Sequence, residues 1–96
     1  MLKRFFNYFK PLRYRCTETY YIKTEYMFNK EVQEFLDYRK DILEKINCKF
    51  ELIMLKDLEL DTEEIGKVKL EHPKYKVTSN AILGLRNGMV FWKFVD

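Results

Sequence analysis

The chain of 96 residues holds one histidine, His72, and two cysteines, Cys16 and Cys48. A cysteine and a histidine make a nucleophilic pair only where the thiol is exposed and activated. Both cysteines instead fall in phase with apolar strand positions, Cys16 with Tyr14 and Tyr20, Cys48 with Phe50 and Leu52. That is the setting of buried, unreactive sulfur. His72 stands between Glu71 and Pro73, a polar stretch that reads as surface. The glycine-flanked serine, HExxH, P-loop and paired CxxC patterns are absent, so no catalytic residue, metal or cofactor is assigned. Two cysteines are too few for a disulfide framework, and the first residues carry no secretory apolar run. The expectation is a soluble cytoplasmic protein with reduced thiols and no membrane span.

Asp57, Glu59, Asp61, Glu63 and Glu64 form an acidic run. Alternating carboxylates can hold Mg²⁺ or Ca²⁺, but the calcium-loop spacing with its central glycine is missing. Leu58 and Leu60 alternate with the acids as strand residues do, so a solvated strand end is the better reading.

Charge is distributed unevenly. Residues 1–17 contain Lys3, Arg4, Lys10, Arg13 and Arg15 and no acid, whereas residues 18–96 contain thirteen basic and fifteen acidic residues. The basic arm is interleaved with Phe5, Phe6, Tyr8, Phe9 and Tyr14. Lys3, Arg4, Lys10, Arg13 and Arg15 could neutralise phosphates while Tyr8 or Tyr14 stacks on unpaired bases. Arg13 and Arg15 share one strand face about 6.5–7 Å apart, a spacing that suits adjacent phosphates or carboxylates. The plainer reading makes Leu2, Phe5, Phe6 and Phe9 a docking stripe with the cations as its solvated side. The arm could also meet the acidic run or lie at a membrane interface.

The elements follow from periodicity. Leu2, Phe5, Phe6 and Phe9 mark a short helix that Pro11 stops. Residues 12–28 alternate with period two, predicting one long strand, bent near Thr17–Thr19 or strongly twisted, whose apolar face is broken by Glu18 and Thr24. Asn29 caps a helix over residues 30–47 that buries Phe35, Leu36, Leu43 and Ile46. Residues 48–58 form a strand apolar on both faces, hence central or at an interface. Asp61 to Gly66 reads as a single capped turn, and residues 67–77 as an edge strand interrupted at Pro73. Asn87-Gly88 between apolar runs predicts a hairpin. The last strand places Val90, Trp92 and Phe94 on one face and Met89, Phe91 and Val95 on the other, so it is central or pairs with another chain.

The fold class expected is therefore α+β. One domain spans residues 1–96: a mainly antiparallel sheet of four to five strands, one long helix (about 30–47) and a short N-terminal helix (1–11) on one face. A right-handed βαβ unit fits the first strand, the helix and the second strand. Aromatic excess and the two-sided last strand predict a homodimer with Phe91 or Trp92 in the interface. Phe, Tyr, Ile, Lys and Asn, whose codons are AT-rich, make up 39 of 96 residues, pointing to a phage or other mobile element. A small, basic, strand-rich body ending in an aromatic strand is similar to small ribonuclease toxins of the RelE kind. Those carry two long helices after the first strand and this chain carries one, so no residue roles transfer. The leading expectation is a small non-enzymatic regulator or inhibitor that binds a host protein. A nucleic-acid binder using the arm comes second, and a ribonuclease-like toxin third.

Overall fold

The computed structural model describes residues 14–60, 63–73 and 75–95. Its elements are β1 (Cys16–Lys23), a 3-10 turn (Thr24–Tyr26), α1 (Lys30–Lys45), β2 (Cys48–Leu55), β3 (Glu64–His72), β4 (Val77–Arg86) and β5 (Met89–Phe94). They form one five-stranded sheet in the order β2-β1-β3-β4-β5. β1 and β2 run parallel, and the other three pairings are antiparallel. The α+β class expected from the pattern is the one observed, with the sheet mixed and α1 packed on it. The short N-terminal helix lies outside the described residues.

α1 begins where the side chain of Asn29 accepts the Val32 amide at 3.0 Å, satisfying one orphan donor. It ends as Asn47 takes a left-handed conformation, φ 58°, which stops the hydrogen-bond ladder. Val32, Leu36 and Leu43 are buried, so the stripe faces the sheet as expected. Phe35 is only partly buried, packed against the core, and Ile46 is exposed, at 48%. As the C-cap it has left the helical phase that would have turned it inward.

In-register partners share a face, so the pairings sort the side chains. The face under α1 carries Tyr20 and Ile22 of β1, Val68 and Leu70 of β3, Ala81 and Leu83 of β4, and Val90 and Trp92 of β5. The opposite face carries Tyr21, Lys67, Ile82 and Lys93 in a row across four strands. No described element covers it.

Several expectations need correction. The long strand over 12–28 ends at Lys23, where its pairing with β2 also ends; residues 24–26 form a 3-10 turn that lifts the chain toward α1. β3 is not an edge: it lies between β1 and β4, and Pro73 falls in the turn after it, where its missing amide costs no ladder bond. Glu64–Gly66 belong to β3 rather than to a helical turn, with a register shift between Glu64 and Gly66. Of the two alternatives given for β2 and β5, the central position does not hold: both are edges of the sheet.

The hairpin is as expected. Asn87 and Gly88 both have positive φ, 53° and 74°, the backbone that a two-residue turn between twisted strands requires. Directly across that hairpin, a Cβ built on Gly84 would overlap the Phe91 ring, so glycine is needed there for the ring to lie against the sheet.

Cys16 and Cys48 are joined in a disulfide, which corrects the reading as free thiols. Both are buried as expected. They are also the first in-register pair of the parallel β1–β2 ladder, with Cα atoms 4.7 Å apart, inside the range a disulfide spans.

Candidate binding surfaces

The chain places three sets of polar and apolar groups where they can act. The first lies beneath α1. Glu18, which interrupts the apolar face of β1, is 5% exposed. Its Oε1 accepts the Tyr20 hydroxyl at 2.5 Å and the Arg39 Nε–H at 3.0 Å, and its Oε2 accepts the second Arg39 nitrogen at 2.7 Å. The Arg39 guanidinium also lies 5.4 Å from the centre of the Trp92 ring, and Trp92 packs edge-on against Tyr20 and Phe35. Burial, reinforced by the Glu18 carboxylate, pushes the Tyr20 phenol far above its usual range. The hydrogen bonds to Glu18 raise Arg39 further above its already high value. Three charge-assisted or buried hydrogen bonds, two to Oε1 and one to Oε2, hold the carboxylate in place. The cluster is a fastener joining α1, β1 and β5. Sequence reasoning noted Glu18 but missed Arg39. The signal was available: Arg39 falls on the buried stripe of Val32, Phe35, Leu36 and Leu43, a cation in phase with an apolar helix face.

The second set gathers part of the basic arm. Tyr14 and Arg15 immediately precede β1, and the Arg15 amide donates to the Asn47 carbonyl at 2.9 Å. With Ile46, His72, Pro73 and Tyr75 they line a groove of about 1150 Å³ at this end of the sheet. Lys3, Arg4, Tyr8, Lys10 and Arg13 lie outside the described residues. The acidic run is not brought to Arg15. Asp57 and Glu59 follow the far end of β2, separated from Asn47 by eight strand residues, roughly 25 Å of chain. Glu63 instead pairs with Arg86 at 2.5 Å. No group of three metal-ligating side chains occurs among the described residues. The Cys–His nucleophile weighed from sequence has no thiol to use, because both sulfurs are in the disulfide.

The third set is the sheet's margins. Leu52, Ile53, Met54 and Leu55 of β2 are 38%, 39%, 57% and 38% exposed. They form a continuous apolar run along a strand whose outer edge pairs with no described strand. At the other margin the expected interface residues separate. Trp92 packs under α1 with Phe94 stacked on it at 6.2 Å, whereas Phe91 lies on the opposite face with the Arg86 guanidinium 5.2 Å from its ring centre. Phe91 and Trp92 therefore do not share one patch.

Comparison with protein-family models, with curated proteins and with solved structures gives no match for this chain. No helix among the described residues is long and apolar enough to cross a membrane.

Proposed function

We propose that this chain is a small non-enzymatic binding protein, a regulator or inhibitor that acts on a host protein by direct contact. The observation that supports it is the exposed run Leu52–Leu55 on an open edge strand. Soluble proteins usually protect such edges with charge, proline or a covering segment, because a bare apolar edge invites strand addition. An edge that offers backbone donors and acceptors together with apolar side chains on both faces suits a partner that adds a strand or packs an apolar segment there. The same edge would serve a second copy of the chain.

The test combines capture with hydrogen exchange. Tagged wild-type chain and the Ile53→Lys variant are used to recover partners from host extract, and the recovered protein is purified and added back. The expected result is loss of capture by Ile53→Lys, with slowed amide exchange in β2 of the wild type on adding the partner. Unchanged exchange in β2, or equal capture by the variant, would refute the reading. Sedimentation of the chain alone reports whether a second copy takes the same edge.

A further inference from the structure

We infer that the uncovered face of the sheet, which borders the β2 edge through Ile53 and Leu55, is a second binding surface, and that it takes single-stranded nucleic acid. Strand residues on that face include the cations Lys23, Lys49, Lys67, Lys69, Arg86 and Lys93 against the carboxylates Glu51, Glu64 and Glu71. Arg86 is tied to Glu63, so the free cations of this face among the described residues are Lys23, Lys67 and Lys93, in a body whose residues 18–96 carry thirteen basic and fifteen acidic residues. Lys49 and Lys69 stand near Glu51 and Glu71 at 3.6 and 3.9 Å. Those pairs are more than two-fifths exposed and hold their lysines weakly. Lys23, Lys67 and Lys93 make no ion pair with any described residue.

The spacing suits a phosphate chain running over rings. Lys67 lies directly beside Tyr21 on one side and Ile82 on the other, and Lys93 lies beyond Ile82. Strand geometry then sets Lys67 and Lys93 about 9.5 Å apart and Lys67 and Lys69 about 6.5–7 Å apart. Between them is a shallow trough of about 360 Å³ lined by Tyr21, Lys67, Lys69, Ile82 and Val95 among others. A partly exposed tyrosine ring on the sheet, with Lys67 beside it and Lys23 two residues along its strand, meets the two needs of single-strand binding: a stacking platform and cations along the backbone. A duplex would engage the lysines but leave Tyr21 without a base to stack on. An acidic protein would likewise use only the charge.

The experiment is fluorescence anisotropy of the full chain with labelled oligothymidylate of about 12 nucleotides, within the site size of small single-strand binders. Salt is varied from about 50 to 200 mM, and duplex DNA and polyglutamate serve as competitors. Three lysine contacts predict a slope of log affinity against log salt near −2, at about −0.7 per phosphate. Lys67→Ala and Lys93→Ala should each flatten that slope by about 0.7. Tyr21→Ala should weaken binding by about 5- to 150-fold with the slope unchanged, and Tyr21→Phe should retain it. Lys30→Glu, on α1, should change nothing beyond a small uniform effect, and circular dichroism verifies that each variant is folded. Absence of binding at low salt would overturn the inference. So would equal competition by duplex or polyglutamate, or binding that survives the lysine changes and is lost with Arg13→Glu/Arg15→Glu. Met54→Gln, at an exposed position on the α1 side of β2, should bind the oligonucleotide as well as wild type, whereas Ile53 pairs in register with Tyr21 and shares the uncovered face.

Discussion

Replacing Arg39 with methionine keeps most of the apolar stem and removes the guanidinium from Glu18. The Glu18 side chain is 7% exposed and would be left with only the Tyr20 hydroxyl. Breaking a buried pair by deleting one partner costs about 3–5 kcal/mol, because the remaining charge is uncompensated. Arg39 itself is 28% exposed at the side chain, so water reaches that end of the pair, and we expect the low end, about 3 kcal/mol. For a domain of this size that lowers the melting temperature by about 12–24 °C. The double variant Glu18→Leu/Arg39→Met should recover most of the loss, since apolar replacement of a buried pair is often neutral or stabilising. The assay is urea unfolding followed by the fluorescence of Trp92, the single tryptophan, and by far-ultraviolet circular dichroism. A loss under about 1 kcal/mol for Arg39→Met, the size of an exposed ion pair, would refute the reasoning. So would a double variant no more stable than the single one.

Two further predictions concern the same core. Native protein prepared without reductant should show no free thiol, and Cys16→Ser/Cys48→Ser should lose about 3–4 kcal/mol, the chain-entropy value for cysteines 32 residues apart; rapid thiol labelling would contradict this. Tyr20 is held neutral in the folded state, its pKa raised above the unfolded value. Its contribution is intact below pH about 10 and is lost above it, as the unfolded chain releases the proton first, at about 1.4 kcal/mol per pH unit. Ultraviolet titration of the phenols should leave one tyrosine silent until unfolding, and seven titrating in the folded state would count against the burial.

The elements that sequence revealed best are those whose signal is local. The Asn29 cap, the 3.6-residue stripe of α1 and the Asn87-Gly88 turn each depend on residues within a few positions of one another, and each stands where expected. What eluded it depends on lateral order in the sheet. β2 and β5 have apolar residues on both faces, which reads equally as a central strand or as one that meets another chain, and both are edges. Periodicity reports which way a side chain points and not which strand lies beside it. The disulfide was hidden for the same reason: burial of Cys16 and Cys48 was legible, but their adjacency requires the parallel register of β1 on β2. The site was partly legible. Glu18 stood out as an acid on an apolar face, and its partner became visible only once α1 was laid across β1 and β5.

The Phe91 ring lying over Gly84 also links the two positions as the chain changes. The atoms nearest a new Cβ at 84 are the far end of that ring, so a methyl group gained there turns the ring off the backbone it covers. Shrinking the side chain at 91 makes room at 84, at the cost of uncovering the same backbone. A side chain at 84 and an aromatic ring seated against the sheet at 91 therefore exclude each other, and the two positions share one mutational history.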